Sequence, residues 1–496
     1  MSAYAALEAI FRRAGVLGDA LSVLHWDMST MMPDGGAEAR AEQLALLQAL
    51  VHQEITAPMV PDLLERAEGE DLDAWQRANL REMRREWVHA AAVPGDLVEA
   101  VAMAQAACEM VWRQARPAAD FAMVLPSLTN LLSLVRQTAQ LKSERLGVSL
   151  YDALLDQYEP MGRVADFDAV FAELETFLPG FIARVLSEQA RRPAPRLPAG
   201  PFPPERQKQV GLEFMRALGF DFAHGRLDTS FHPFCGGYPE DVRITTRFDE
   251  ADFTSALMGV LHETGHALYD FGLPGGRWRH QPVGRARGMV AHESQSLLIE
   301  MQACRSRQFQ DWAAPRLRAA FGGDGPAWQA DNLYRLGIRV EPGFIRVDAD
   351  EATYPAHIII RTRIERDLIE GRMEPADLPG AWSEGYRRLL GLTPPDDRMG
   401  CLQDIHWYGG SWGYFPTYTL GAMTAAQLFD AACRADSDIL PAIGTGDFRP
   451  LLGWLGANVH AKGSLLSTRD LLVEATGRPL DPAVFKAHLE RRYLDH

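Results

Sequence analysis

The 496-residue chain is poor in cysteine, almost without lysine, and has no long hydrophobic run. Its five cysteines (Cys108, Cys235, Cys304, Cys401 and Cys433) are scattered, odd in number and never paired as C-x-x-C. That argues against a disulfide framework and against a thiolate metal site, so any metal here must be held by His and carboxylate groups. The longest apolar stretches, such as Ile358-Ile359-Ile360, fall far short of the roughly 20 residues a membrane helix needs. Met1-Ser2-Ala3 leads straight into a helical pattern, with neither the basic nor the apolar region of a signal peptide, and a cytoplasmic protein is expected. Lysine is confined to Lys142, Lys208, Lys462 and Lys486, and the net charge is −16. Nucleic acid and anionic membranes select basic surfaces, so neither is expected as a partner.

Strand signals are also scarce. Residues 1–190 read as consecutive helices, with long patterns from Asp120 to Leu146 and from Asp166 to Leu186. A Pro-rich break at 192–204 is the clearest internal boundary. It divides the chain into an N-terminal helical half, 1–191, and a second half, 205–496. Helix resumes at 205–219. A Gly/Pro-punctuated stretch then offers short strands at Arg226 to Phe231 and Asp241 to Phe248, where Val242-Arg243-Ile244-Thr245-Thr246 suits a strand. The expected class is mainly α, with a small sheet just before the most informative helix. An edge of that sheet can hold an extended peptide by main-chain hydrogen bonds.

That helix contains His262-Glu263-Thr264-Gly265-His266, an H-E-x-x-H pattern. On a helix, residues i and i+4 share a face, so both imidazoles can reach one metal while Glu263 is placed to take a proton from the attacking water. The pattern turns up by chance in roughly a few per cent of such chains. Its flanks favour a site: Phe253, Leu257, Val260, Leu261 and Leu268 follow helical spacing, Asp252 or Thr254 can cap the start, and Gly272, Pro274, Gly275 and Gly276 stop it. A catalytic zinc takes three protein ligands and leaves one position open. The third His of H-E-x-x-H-x-x-G-x-x-H is missing, with Tyr269 and Gly272 at the Gly and His positions. A Glu on a following helix is the simplest substitute. Glu293, in His292-Glu293-Ser294-Gln295, is the best candidate, with Glu300 and His292 competing. Asp270, four residues beyond His266, is expected to orient that imidazole.

Six motifs in order complete the pattern: His232-Pro233-Phe234; Asp241-Val242-Arg243-Ile244-Thr245; His262 to His266; His292-Glu293-Ser294-Gln295; Ile345-Arg346-Val347-Asp348-Ala349-Asp350; and Gly400-Cys401-Leu402-Gln403-Asp404-Ile405-His406-Trp407. With Trp26-Asp27 and Met32-Pro33 near the start, the chain resembles the carboxypeptidase Taq family of thermostable metallocarboxypeptidases nearly end to end. The resemblance implies a single peptidase domain, 1–496, with an elongated, almost wholly helical fold and a deep groove. It implies that helices of 1–191 cover that groove and that 205–496 carry the zinc site, with Glu293 as third ligand. It further implies one Zn2+ per chain that Co2+ can replace, a homodimer, and broad specificity for peptides with a free C-terminus.

The expected reaction is hydrolysis of the C-terminal peptide bond, with Glu263 as general base. By analogy with other helical gluzincins, a His and a Tyr stabilise the oxyanion: His406 with Tyr418, Tyr414 as second choice and Tyr408 a further candidate. A terminal carboxylate needs a cation, and Arg pairs with it bidentately. Arg346 is the first candidate and Arg243 the second, with Asp350 and Asp241 as their partners. Gln403 and His232 complete the expected substrate-binding set. Two other functions compete: a gluzincin oligopeptidase or aminopeptidase using the same zinc chemistry, and a helical binding protein with a dead metal site.

Overall fold

The computed structural model describes residues 2–495, which form 20 α-helices and one three-stranded sheet among the described residues. No described helix is long and apolar enough to cross a membrane. Pro-rich residues 193–203 run without regular structure between helices Val164–Ala190 and Pro204–Ala217. This break does not separate two cores. The largest apolar cluster joins Leu128 and Phe171 from before it to Ile359, Trp382 and Phe485 from after it.

The sheet comprises β1 (Gly225–Thr229), β2 (Cys235–Tyr238) and β3 (Asp241–Thr246) in the order β1-β3-β2. β1 runs parallel to β3 and β2 antiparallel to it, with Arg226 opposite Arg243 and Gly237 opposite Val242. The two expected strands are present, each shorter than expected. β2 had no sequence signal because its centre is Gly236-Gly237. Gly237 holds φ at 95°, and a Cβ there would lie 2.0 Å from the Asp241 carbonyl oxygen, so the tight return into β3 requires glycine. The outer edge of β2 is not free at Gly237. Ser22 Oγ of the first helix, Ala3–Thr30, donates to the Gly237 carbonyl at 2.8 Å and accepts from its N–H at 3.0 Å.

Val242 and Ile244 point from β3 onto Val260 and Ala267 of helix Phe253–Phe271, here called the metal helix. Its opposite face buries Leu257, Leu261 and Leu268 among the C-terminal helices. Each such side chain removed from water contributes roughly 1.5–3 kcal/mol, and burial on both sides fixes the helix's rotation about its axis. Asp252 caps it, accepting from Thr254 N at 2.8 Å and Ser255 N at 3.3 Å.

The second element of the site, helix Gly288–Leu297, continues without a break into a π-helical segment, Leu298–Ala303. This ligand helix starts five residues before Glu293, which therefore lies in its second turn. It packs on the metal helix at Gly265, where a Cβ would stand 2.6 Å from both the Gln295 carbonyl oxygen and Ser296 Cα. Backbone atoms cannot step aside. Gly265→Ala should therefore lower the unfolding free energy in urea by about 1–3 kcal/mol, whereas Gly453→Ala, whose Cβ meets nothing within 4 Å, should not.

Candidate metal centre

The i, i+4 spacing of H-E-x-x-H in mid-helix puts His262 and His266 side by side, with ring centroids 4.9 Å apart. Each ring is held from behind through Nδ1. His262 Nδ1 is 3.0 Å from Glu300 Oε2, and His266 Nδ1 donates to the His292 carbonyl at 3.1 Å. Both Nε2 atoms are thereby turned toward Glu293, whose Oε2 lies 4.0 Å from the first and 3.6 Å from the second. These three ligand atoms fall within 4.8 Å of one another, the spacing of donors around one small cation. Outer hydrogen bonds that fix the tautomer are what a metal-binding imidazole needs. The donor set, two imidazoles and one carboxylate, fits zinc.

Electrostatics point the same way. Burial works against a cation on His262, but the hydrogen bond to Glu300 and the carboxylates of Glu293 and Glu263 outweigh it and lift its pKa to about 10. Burial, with the imidazoles of His292 and His262, holds His266 far below the usual range, neutral and ready to donate a lone pair. Burial raises Glu293. The cluster is a buried concentration of carboxylate that attracts positive charge. Burial also pushes Glu263 up to about 7, helped by Glu293 and opposed by His262. Its carboxylate accepts no hydrogen bond from any described residue, although only 7% of the residue is exposed. A carboxylate with free lone pairs and a pKa near neutrality is suited to taking a proton from water.

A second cluster adjoins the first. Arg346 donates through Nε and Nη2 to Asp404 Oδ1 at 3.1 and 2.9 Å, and through Nη1 to the Tyr354 hydroxyl at 3.0 Å. Fully buried Arg361 grips the other oxygen of Asp404 at 2.6 Å. The Tyr418 ring lies 5.2 Å from the Arg346 guanidinium, and Tyr414 packs on Tyr418 edge-on at 5.1 Å. The charge of Glu293 acts on Arg346, Tyr354, Tyr414 and Tyr418 alike, which puts this cluster beside the first. His406 stands 5.9 Å from Tyr414 and 6.4 Å from Tyr418 between ring centroids. Burial lowers its pKa to about 4, so its imidazole is neutral at pH 7 and keeps an N–H to donate.

Several expected assignments change. Asp270 does not meet His266: it lies 3.5 Å from His292 Nε2 and 3.8 Å from Cys235 Sγ, because the His292 carbonyl already occupies His266 Nδ1. Asp350 does not pair with Arg346. It accepts from the N–H groups of Glu341, Ala352 and Thr353, folding the loop while Asp404 takes the guanidinium. Gln403 is a scaffold with no group left over. Its Oε1 accepts from Arg346 N and Arg361, and its Nε2 donates to the carbonyls of Phe344, Met399 and Gly400. Tyr408 is fully buried with its hydroxyl on the Cys401 carbonyl, away from the reacting groups. Arg243 is forked onto Asp241 at 2.9 and 2.6 Å and stacked on Trp26 at 4.4 Å. His232 is exposed on the β1–β2 loop, its carbonyl accepting from Ser230 Oγ at 2.5 Å. Glu300, a competing ligand by sequence, stands behind His262, held there by Arg305 at 2.9 Å.

Asp404, Arg361 and Tyr354 received no role from sequence. Asp404 sits inside a motif and was legible as a charge without a partner. Arg361 lies on helix Tyr354–Ile369, and among so many arginines nothing but its full burial singles it out.

Residues 6–493 match the carboxypeptidase Taq (M32) metallopeptidase family. The thermostable carboxypeptidase 1 of Thermus thermophilus is 40% identical over 504 residues, covering 99% of this chain and 98% of that one. Among solved structures, metallocarboxypeptidase 1 of Trypanosoma cruzi superposes with a TM-score of 0.97 at 42% identity, over 99% of both chains. The M32 carboxypeptidase of Deinococcus radiodurans R1 does so with a TM-score of 0.93 at 33% identity, again over 99% of both chains.

The depressed His406 pKa has a measurable sign. A neutral buried His contributes fully above its ordinary value of 6.5 and loses that contribution as pH falls toward about 4. The unfolding free energy of the wild type should therefore drop between these values more steeply than that of His406→Phe, by up to roughly 3 kcal/mol in total. Parallel curves would mean that His406 titrates normally.

Proposed function

The chain belongs to the carboxypeptidase Taq (M32) family of metallopeptidases and is a metallocarboxypeptidase, and on that premise we propose that it is a zinc enzyme removing amino acids one at a time from the C-termini of peptides. His262, His266 and Glu293 hold the ion in this proposal. When bound, zinc supplies Lewis acidity to the reacting water and the scissile carbonyl, and Co2+ is an acceptable substitute. Glu263 takes the proton from the attacking water and passes it to the leaving amine. The neutral imidazole of His406 and the hydroxyl of Tyr418, with Tyr414 as alternative, donate to the developing oxyanion; one such donor is worth about 3–4 kcal/mol.

The observation that carries the exopeptidase reading is the charge count around Arg346. Two guanidiniums, Arg346 and Arg361, share the single carboxylate of Asp404, so one positive charge is uncompensated close to Glu293. Of the five N–H donors of a guanidinium, Arg346 spends three, on Asp404 and Tyr354. The two that remain match a carboxylate. Arg243 and Asp241 cancel each other, which favours Arg346 as the group that receives the substrate's C-terminus. Helices of 1–191 are taken to cover a groove whose catalytic wall is 205–496. Broad specificity, a homodimer and a cytoplasmic location complete the proposal.

The deciding experiment is mass spectrometry of matched peptides with free and amidated C-termini, incubated with the zinc-loaded enzyme. Stepwise loss from the free C-terminus, with the amide inert, is expected. Internal cleavage of the amidated peptide would instead identify an oligopeptidase, and loss from the N-terminus an aminopeptidase. Glu263→Gln should keep its zinc and lose about 10²–10⁴-fold in kcat; retained turnover would remove Glu263 as the base.

A further inference from the structure

Glu300 holds His262 from an unusual backbone. The π-helical turn Leu298–Ala303 closes with an i→i+5 hydrogen bond from Cys304 N to the Ile299 carbonyl at 2.9 Å. Such turns are rare and poorly supported by their own hydrogen bonds. The carbonyls of Met301 and Gln302 point out of it toward helix Pro482–Tyr493, near the chain's C-terminus. There Arg492 donates through Nη1 to the Met301 carbonyl at 2.5 Å and through Nη2 to the Gln302 carbonyl at 3.4 Å. The same Nη1 contacts Glu351 Oε2 at 2.8 Å.

Glu351 organises the rest. It follows Asp350 in the Arg346 loop and is 5% exposed, yet it receives four partners. Besides Arg492 these are His488 Nε2 at 2.9 Å, Gln302 Nε2 at 3.1 Å and the Tyr493 hydroxyl at 3.0 Å. Burial opposes its charge, but Arg492, His488 and Arg305 outweigh burial and keep it ionised. Arg492, with its side chain 8% exposed, is neutralised by Glu351 and donates to the π-turn through both Nη atoms. None of these groups touches His262, Glu263, His266 or Glu293. A salt bridge needed only to attach the last helix has no reason to bind two carbonyls of the turn that bears Glu300.

We propose that Arg492 is a positioning residue for the metal centre: by clamping the Met301 and Gln302 carbonyls against Glu351 it fixes the π-turn that aims Glu300 at His262. The inference rests on His262 being a metal ligand. Because Glu351 also belongs to the Arg346 loop, one buried cluster then sets both the ligand tautomer and the approach of the guanidinium that faces the substrate terminus.

The test is Zn2+ affinity, measured by competition with a chromogenic chelator on the full chain, alongside the melting temperature of the metal-free protein. Arg492→Met is expected to weaken zinc about ten-fold or more, in the range seen when an outer partner of a ligating His is lost. Glu351→Gln, which keeps shape and removes the charge that holds Arg492, should act in the same direction and decides the matter if Arg492→Met does not fold. Combined with Glu300→Gln, either change should add nothing to the loss caused by Glu300→Gln alone. A purely structural Arg492 would lower the melting temperature and leave zinc affinity intact. That result, or losses that multiply in the double variants, overturns the proposal. A wild-type chain that takes up no zinc would overturn the metal centre itself, and the clamp with it.

Discussion

The backbones of the metal helix and the ligand helix touch at Gly265, and the geometry of the site follows from that contact. Packed helices are normally held 8–10 Å apart by their side chains. With no side chain at Gly265, the His292 carbonyl comes within 3.1 Å of His266 Nδ1 and Glu293 reaches both imidazoles. Two further glycines act in the same way. A Cβ at Gly421 would sit 3.0 Å from Glu293 Cβ and Cγ, so the Glu293 side chain itself fills that groove. A Cβ at Gly272 would sit 2.6 Å from His460 Cβ, and His460 in turn holds Gln295 at 3.0 Å. A glycine inside a helix costs about 1 kcal/mol relative to alanine. Here that cost is offset by placing His262, His266 and Glu293 on two helices with no loop between them and the core.

Charge is distributed with similar economy. The metal side of the site is a buried cluster of Glu263, Glu293 and Glu300 around two imidazoles; the adjoining side is built on Arg346, Arg361 and Asp404. Burial alone would neutralise Asp404, but Arg361 and Arg346 outweigh it and hold the carboxyl well below its ordinary range. Removing one partner from such a buried set typically costs about 3–5 kcal/mol. Gln403 ties the two arginines to the surrounding backbone, accepting from Arg346 N and Arg361 and donating to the carbonyls of Phe344, Met399 and Gly400. The acidic cluster thus calls for a cation and the basic one for an anion, and the charge of Arg346 is felt at Glu293.

How much of this was legible in sequence depended on whether a role follows from local spacing or from a distant partner. His262 and His266 were legible because the helical period alone puts them on one face. Glu293 needed the surrounding motifs, since nothing local says which of Glu293, Glu300 and His292 turns inward. Asp270 and Asp350 each lie four residues from the group that sequence proximity suggests, yet Asp270 reaches His292 and Cys235 while Asp350 ties its own loop. The fully buried Tyr408 is indistinguishable in sequence from Tyr414 and Tyr418, three tyrosines within eleven residues. The π-turn was invisible, because an i→i+5 hydrogen bond leaves the apolar pattern of Leu297, Leu298 and Ile299 unchanged. Strand β2 was missed for the reason that makes it work, two glycines in place of alternation.

In the proposed reading, the preference for a chain end follows from how the second cluster is satisfied. An Arg fully matched by one carboxylate, as Arg243 is by Asp241, gains little from a second anion and loses solvation on meeting it. Arg346 shares its counter-ion with Arg361, so a peptide whose terminal carboxylate arrives there completes a two-to-two pairing in a buried setting, where charge-assisted hydrogen bonds are strongest. A peptide continuing past that point would put a neutral amide against the uncompensated guanidinium, and the unpaired buried charge would count against binding. The same zinc chemistry would run on any peptide bond presented to His262, Glu263 and His266. In this proposal, what confines it to the last bond is the arithmetic of two arginines on Asp404, set at a fixed reach from Glu293 by helix Tyr354–Ile369 and the loop that Gln403 ties down.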